Sequence, residues 1–173
     1  LADKPFLAVG NFPGRMLMPV SQDKKHAHKR ESTSNVNATG VICYDKRVVK
    51  VENSHVKGRY ASYDLITCAG GAYDLCVKLS HRTITLLEDI ETSFEHHQKG
   101  NPIKKVDLYL HQDCARFTFE EKRRAREDAK AFAHEMFSNA RALFRYYFKK
   151  RKIRVACFWV EEDGVVHRIP SKV

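Results

Sequence analysis

No stretch of this 173-residue chain is apolar for long enough to span a bilayer, and its first residues lack the basic-then-apolar pattern of a cleavable signal peptide. Its five cysteines, at positions 43, 68, 76, 114 and 157, are an odd number, and no two of them form a Cys-x-x-Cys pair. That pattern argues against a disulfide framework and for thiols or ligands in a reducing compartment, so a cytoplasmic protein is expected. No internal repeat is present, which excludes a stacked-repeat solenoid. Acidic residues are few relative to basic ones, 21 against 31, and the resulting net charge of +10 directs attention to anionic partners or substrates.

Much of the excess charge lies in three runs: Lys24-Lys25-His26-Ala27-His28-Lys29-Arg30, Glu121-Lys122-Arg123-Arg124-Ala125-Arg126 and Lys149-Lys150-Arg151-Lys152. Such runs read first as solvated faces or tails, with nucleic-acid binding as the rival. Tyr146-Tyr147-Phe148 precedes the last run. It is expected to supply Tyr147 and one neighbour to the core, with the lysines at a helix end where cations favour the dipole.

A chain of this length defaults to one domain. Residues 1–38 lack sustained periodicity, carry Pro5, Pro13 and Pro19 besides the first basic run, and are expected to form an arm, partly disordered or packed on a partner subunit. Residues 39–173 are the expected folded domain. Short apolar runs predict strands at Gly40-Val41-Ile42-Cys43, at 63–69, at 106–110 and at 153–160, and Glu162-Asp163-Gly164 predicts a hairpin to a fifth strand at 165–169. Ile84, Leu87, Ile90 and Phe94 recur at helical spacing. Thr118 with Glu121 is a capping-box signature, and the apolar face from Ala125 to Tyr147 predicts one long helix. The expectation is an α/β, three-layer domain: a mostly parallel central sheet of four strands, an antiparallel edge strand and helices on both faces.

Ligands of such sheets sit beyond the carboxyl ends of the strands. Cys43 ends the first predicted strand, Gly70-Gly71 follow the second, and His111 with Cys114 end the third, so residues 68 positions apart in sequence can meet. Two thiolates and an imidazole supply three corners of a zinc tetrahedron, and a hydrolytic site keeps the fourth for water or substrate. Asp45 and Arg47 lie two and four residues past Cys43. A carboxylate there can orient a metal-bound water, and a guanidinium fork keeps that carboxylate ionised and in place. If Arg47 released it, Asp45 could move onto the metal as a fourth ligand in a closed state.

Cys43-Tyr44-Asp45-Lys46-Arg47, Ala69-Gly70-Gly71 and His111-Gln112-Asp113-Cys114 occur in an order and in strand contexts that resemble the β-class carbonic anhydrases, as a short, divergent relative. The resemblance runs from about Thr39 to Ile169. It implies Zn2+ held by Cys43, His111 and Cys114, Asp45 and Arg47 as a catalytic dyad, and Gly70 and Gly71 beside the substrate pocket. The implied reaction is the reversible hydration of carbon dioxide to bicarbonate by zinc-bound hydroxide, in a homodimer or larger homo-oligomer. The chain departs from the family where Ala115 follows the second cysteine in place of the common Gly, and where Gly71 replaces a common Asn. Related proteins hydrolyse carbonyl sulfide or carbon disulfide, which is the alternative chemistry. An inactive zinc-bearing scaffold and a basic nucleic-acid-binding module are the other rivals. Arg116 is read as an exposed residue ahead of the long helix, or else as a positive charge near the metal.

Overall fold

The computed structural model describes residues 38–77, 79–96, 103 and 105–171. The arm expected over 1–38 lies outside the described residues except for Ala38, which opens the first strand.

The chain runs β1 (Ala38–Cys43), α1 (Val49–Arg59), β2 (Tyr63–Cys68), α2 (Tyr73–Cys76), α3 (His81–His96), β3 (Lys105–His111), α4 (Phe119–Glu127), α5 (Ala129–Tyr147), β4 (Arg154–Val160) and β5 (Val166–Ile169). The strands lie in the order β2-β1-β3-β4-β5; the first four are parallel and β5 is antiparallel to β4. This is the expected mostly parallel sheet with one antiparallel edge strand.

Strand periodicity of two explains the three layers. Val41, Val106, Leu108, Leu110, Cys157 and Trp159 belong to one core with Leu87, Ile90 and Phe94 of α3 and Phe132 and Phe137 of α5. Their alternate neighbours Ile42, Tyr109, Phe158 and Val160 form the second core with Val56 of α1. Trp159, Phe94 and Phe137 are fully buried. Each such side chain contributes about 1.5–3 kcal/mol relative to exposure, which fixes strand register, because a one-residue slip would turn it to the other face.

The order also fixes where a site can form. From β1 the chain crosses over α1 to β2 on one side, then returns over α3 to β3 on the other. The carboxyl ends of β1 and β3 therefore flank the point where the topology reverses, and there the two crossovers leave a crevice.

Three expectations are corrected. The helix predicted from Thr118 to Tyr147 is two helices, because Asp128 leaves helical geometry (φ −149°, ψ 82°) and its side chain accepts the backbone N–H of Ala131. The capping box at Thr118 is present and starts the first of them. Helix α1 was not expected: among its residues only Glu52 and Val56 are fully buried, so its sequence carries little apolar contrast. At the end of α5 it is Phe148 that is buried, against Phe94 and Phe144, whereas Tyr147 is exposed and touches Phe148 edge-on.

Candidate metal centre

Cys43 is the last residue of β1 and His111 the last of β3. Beyond His111 the chain turns at once: Gln112 donates its backbone N–H to the Val160 carbonyl at 2.9 Å, and Asp113 takes a left-handed φ of 56°. That turn returns Cys114 to the strand ends. The Cys43 and Cys114 sulfurs and a ring nitrogen of His111 lie within 4.8 Å of one another, and all three residues are buried. The three residues expected to hold a metal are thus brought together, and they are the one such group among the described residues.

The donor chemistry fits zinc. The Gln112 carbonyl oxygen can only accept, so His111 Nδ1, 2.9 Å away, must donate to it. This leaves the Nε2 lone pair free, and Nε2 is buried without a protein partner. A buried imidazole nitrogen with no hydrogen bond, facing two thiols, is the preorganised half of a soft, tetrahedral site. The two sulfurs are themselves linked: a hydrogen bond from the Cys114 thiol draws the Cys43 pKa well below the ordinary thiol value, while that of Cys114 is held high by the same bond and by burial. The Asp45 backbone N–H also reaches Cys43 Sγ, at 3.5 Å. These contacts favour the thiolate at Cys43, the form of a cysteine that binds a metal.

Asp45 and Arg47 pair as the fork expected from their spacing. Arg47 Nη2 donates to Asp45 Oδ2 at 2.6 Å, Arg47 Nε to Oδ1 at 3.1 Å, and the Arg47 backbone N–H to Oδ1 at 3.0 Å. These bonds pull the Asp45 pKa down to about 2, with hydrogen bonding by the guanidinium as the main cause. Both carboxylate oxygens are engaged by Arg47, and Asp45 is not among the clustered ligands. Arg47 Nη2 is also 3.3 Å from the Asp113 carbonyl, and Arg126 of α4 holds Asp113 Oδ1 at 2.7 Å. The turn carrying two of the ligands is thus tied to the fork.

Gly70 and Gly71 have backbone reasons for being glycine. Both have positive φ, 85° and 55°. A Cβ on Gly71 would stand 2.6 Å from the Tyr109 carbonyl oxygen and 3.1 Å from the Cys43 nitrogen. A Cβ on Gly70 would meet Arg116 Cγ at 2.6 Å. The turn after β2 therefore lies directly against the ends of β1 and β3. Arg116, expected to be exposed or to face the metal, instead lies partly buried over Gly70 with its guanidinium on Asp74 at 2.7 Å and above the Tyr73 ring.

Sequence reasoning missed Glu52. Its Oε2 accepts the Cys43 backbone N–H at 2.8 Å, its Oε1 has no partner, and it has no solvent exposure. Burial pushes its carboxyl pKa up to about 8. The signal for it was slight: a lone acid nine residues after Cys43 in a helix with almost no apolar pattern.

Among the described residues no helix is long and apolar enough to cross a membrane, and all five cysteines are free thiols.

Neither a protein-family model nor a curated protein matches the sequence. Solved structures do resemble the fold. The β-carbonic anhydrase CcaA is 11% identical, over 79% of this chain and 80% of that one, with a TM-score of 0.50. A carbonic anhydrase from Glaciozyma antarctica is 16% identical, over 79% and 83%, at 0.49. The β-carbonic anhydrase isoform I of Trichomonas vaginalis is 16% identical, over 84% and 90%, at 0.48. At 11% identity the likeness to CcaA is one of fold. The described residues of this chain adopt a β-carbonic anhydrase-like fold.

Proposed function

We propose that this protein is a zinc-dependent lyase of the carbonic anhydrase type, catalysing the reversible hydration of carbon dioxide to bicarbonate. The observation that carries the reading is the pairing of a buried Cys43–His111–Cys114 cluster with an adjacent, ionised carboxylate held by Arg47. A purely structural zinc site needs four protein ligands and no such dyad; three ligands with a poised acid fit a site with an open corner.

In this reading Cys43, His111 and Cys114 hold Zn2+. When bound, zinc acts as a Lewis acid that lowers the pKa of a water from 15.7 to about 7 and so provides a nucleophile near neutral pH. Asp45, kept ionised by Arg47, accepts a hydrogen bond from the attacking water and aims its lone pair at the substrate carbon. His111 keeps its acceptor nitrogen toward the site because its other nitrogen donates to Gln112. Glu52 fixes the Cys43 backbone from behind. Gly70 and Gly71 allow the β2 turn to close against the strand ends and so shape the pocket in which a small linear substrate sits. Bicarbonate is the anionic product, and the active form is a homodimer or larger homo-oligomer.

Paired substitutions separate binding from chemistry. Cys43→Ser is expected to lose most of the zinc, whereas Asp45→Asn keeps about one equivalent per chain and loses about a hundredfold or more in carbon dioxide hydration, the ordinary worth of a positioned acid–base group. Full turnover in zinc-loaded Asp45→Asn would refute the role given to the dyad. Zinc-loaded parent protein that hydrolyses carbonyl sulfide and leaves carbon dioxide untouched would keep the site and change the substrate.

A further inference from the structure

Toward the opposite end of the sheet from the metal cluster, a groove of about 470 Å³ is lined by Arg59, Tyr60, Lys105, Asp107, Arg154 and Arg168, together with Val155 and Ala156 of β4. Lys105 begins β3 and His111 ends it; at about 3.3 Å per residue, the groove's residues Lys105 and Asp107 lie about 20 Å and about 13 Å along the strand from His111. This groove is not part of the metal centre.

Its charges do not balance. Four cations face one carboxylate, and that carboxylate is fully committed: Asp107, with no exposure, accepts Arg59 Nε at 2.9 Å on Oδ2 and the Tyr60 hydroxyl at 3.0 Å on Oδ1. Lys105 and Arg154 stand directly opposite each other in the β3–β4 register, so two like charges are neighbours on one sheet face. Arg168 comes onto that face from β5, where it pairs with Phe158. No acidic partner is found for Lys105, Arg154 or Arg168 among the described residues. Like charges directly opposite on a sheet repel, and an anion between them offsets that repulsion.

The arginine at the groove's wall is also preorganised. Besides its bonds to Asp107 and Tyr60, the Arg59 guanidinium lies 4.7 Å above the Phe158 ring and 5.2 Å from that of Tyr60. With Nε and one Nη2 hydrogen already donated to Asp107 and Tyr60, the Nη1–Nη2 edge of this fixed fork is what remains for a tetrahedral oxyanion, and it loses little entropy in meeting two of its oxygens. The groove's volume suits a small ligand rather than a bare ion. The Tyr60 ring is buried, with the Arg59 guanidinium and Lys105 Nζ each 5.2 Å from its centroid, which leaves little aromatic surface for a stacked nucleobase.

We infer that this groove is a second binding site, for the phosphate group of a small phosphorylated molecule, formed by Arg59, Lys105, Arg154 and Arg168. The inference does not depend on the reaction catalysed at the metal.

Isothermal titration of the metal-loaded protein with inorganic phosphate, at fixed ionic strength, tests it. Saturable binding is expected, weakened at least about tenfold by the double substitution Arg154→Gln with Arg168→Gln, which corresponds to about 1.4 kcal/mol. Both side chains are exposed and unpaired, so the Arg59–Asp107–Tyr60 cluster and the fold remain, as a thermal midpoint no lower than the parent's would verify. No saturable binding at millimolar phosphate, or equal binding by the double variant, overturns the inference. So does binding that vanishes on chelation, which would place phosphate on the metal. A uridine RNA that binds more tightly than phosphate, with a steep salt dependence lost in the double variant, would assign the groove to nucleic acid and overturn it as well.

Discussion

Glu52 Oε2 accepts the backbone N–H of Cys43 at 2.8 Å, from a side chain with no solvent exposure. The contact ties the first turn of α1 to the end of β1, at the backbone of a candidate metal ligand. Without it the Cys43 N–H would be buried and unsatisfied, at a cost of about 1–3 kcal/mol. Glu52→Leu is therefore expected to lose about that much stability in urea denaturation and to bind zinc more weakly. Glu52→Gln keeps an acceptor oxygen and a neutral side chain, which suits a group whose pKa burial already raises, and is expected to stay within about 1 kcal/mol of the parent. Equal stability for the leucine variant would remove the role given to this bond.

Two glycines make opposite predictions. Gly71 has φ of 55° and no room toward the Tyr109 carbonyl, so Gly71→Ala adds backbone strain to a steric clash and is expected to cost at least about 2 kcal/mol. Gly58 lies in α1 with nothing within 4 Å of a built Cβ. Gly58→Ala is expected to stabilise by about 0.5–1 kcal/mol. Chemical denaturation of the two variants side by side checks both, and a tolerant Gly71 would contradict the close approach of the β2 turn to the metal cluster.

Asp128 separates α4 from α5, and its carboxylate caps Ala131 at 2.9 Å. Asp128→Ala is expected to lose about 1 kcal/mol, the usual worth of an N-cap, with the loss read by thermal or urea unfolding. An unchanged midpoint would show that the helix junction is held by packing alone.

That junction shows where the sequence was readable and where it was not. The apolar face from Ala125 to Phe144 runs through Asp128 without a break in period, so periodicity alone joins what a single capping carboxylate divides. Strands were readable because β1, β3 and β4 are nearly continuous apolar runs, as buried parallel strands must be. The three ligands were readable because each sits at or just past a strand end, where side chains of parallel sheets converge. Asp45 and Arg47 were readable because their pairing is local, across two residues. Glu52 and the Arg126–Asp113 contact were not, since both arise only when helices fold back over the strand ends. The basic groove was equally hidden: its cations come from α1, β3, β4 and β5, and no run of the sequence displays them together.

The most direct test of the central claim is stopped-flow hydration of carbon dioxide by the zinc-replete protein, with metal content measured on the same sample. The account predicts about one zinc per chain, catalysed hydration well above the buffer rate, and loss of that activity on chelation with recovery on zinc addition. One zinc per chain with hydration no faster than buffer would contradict it.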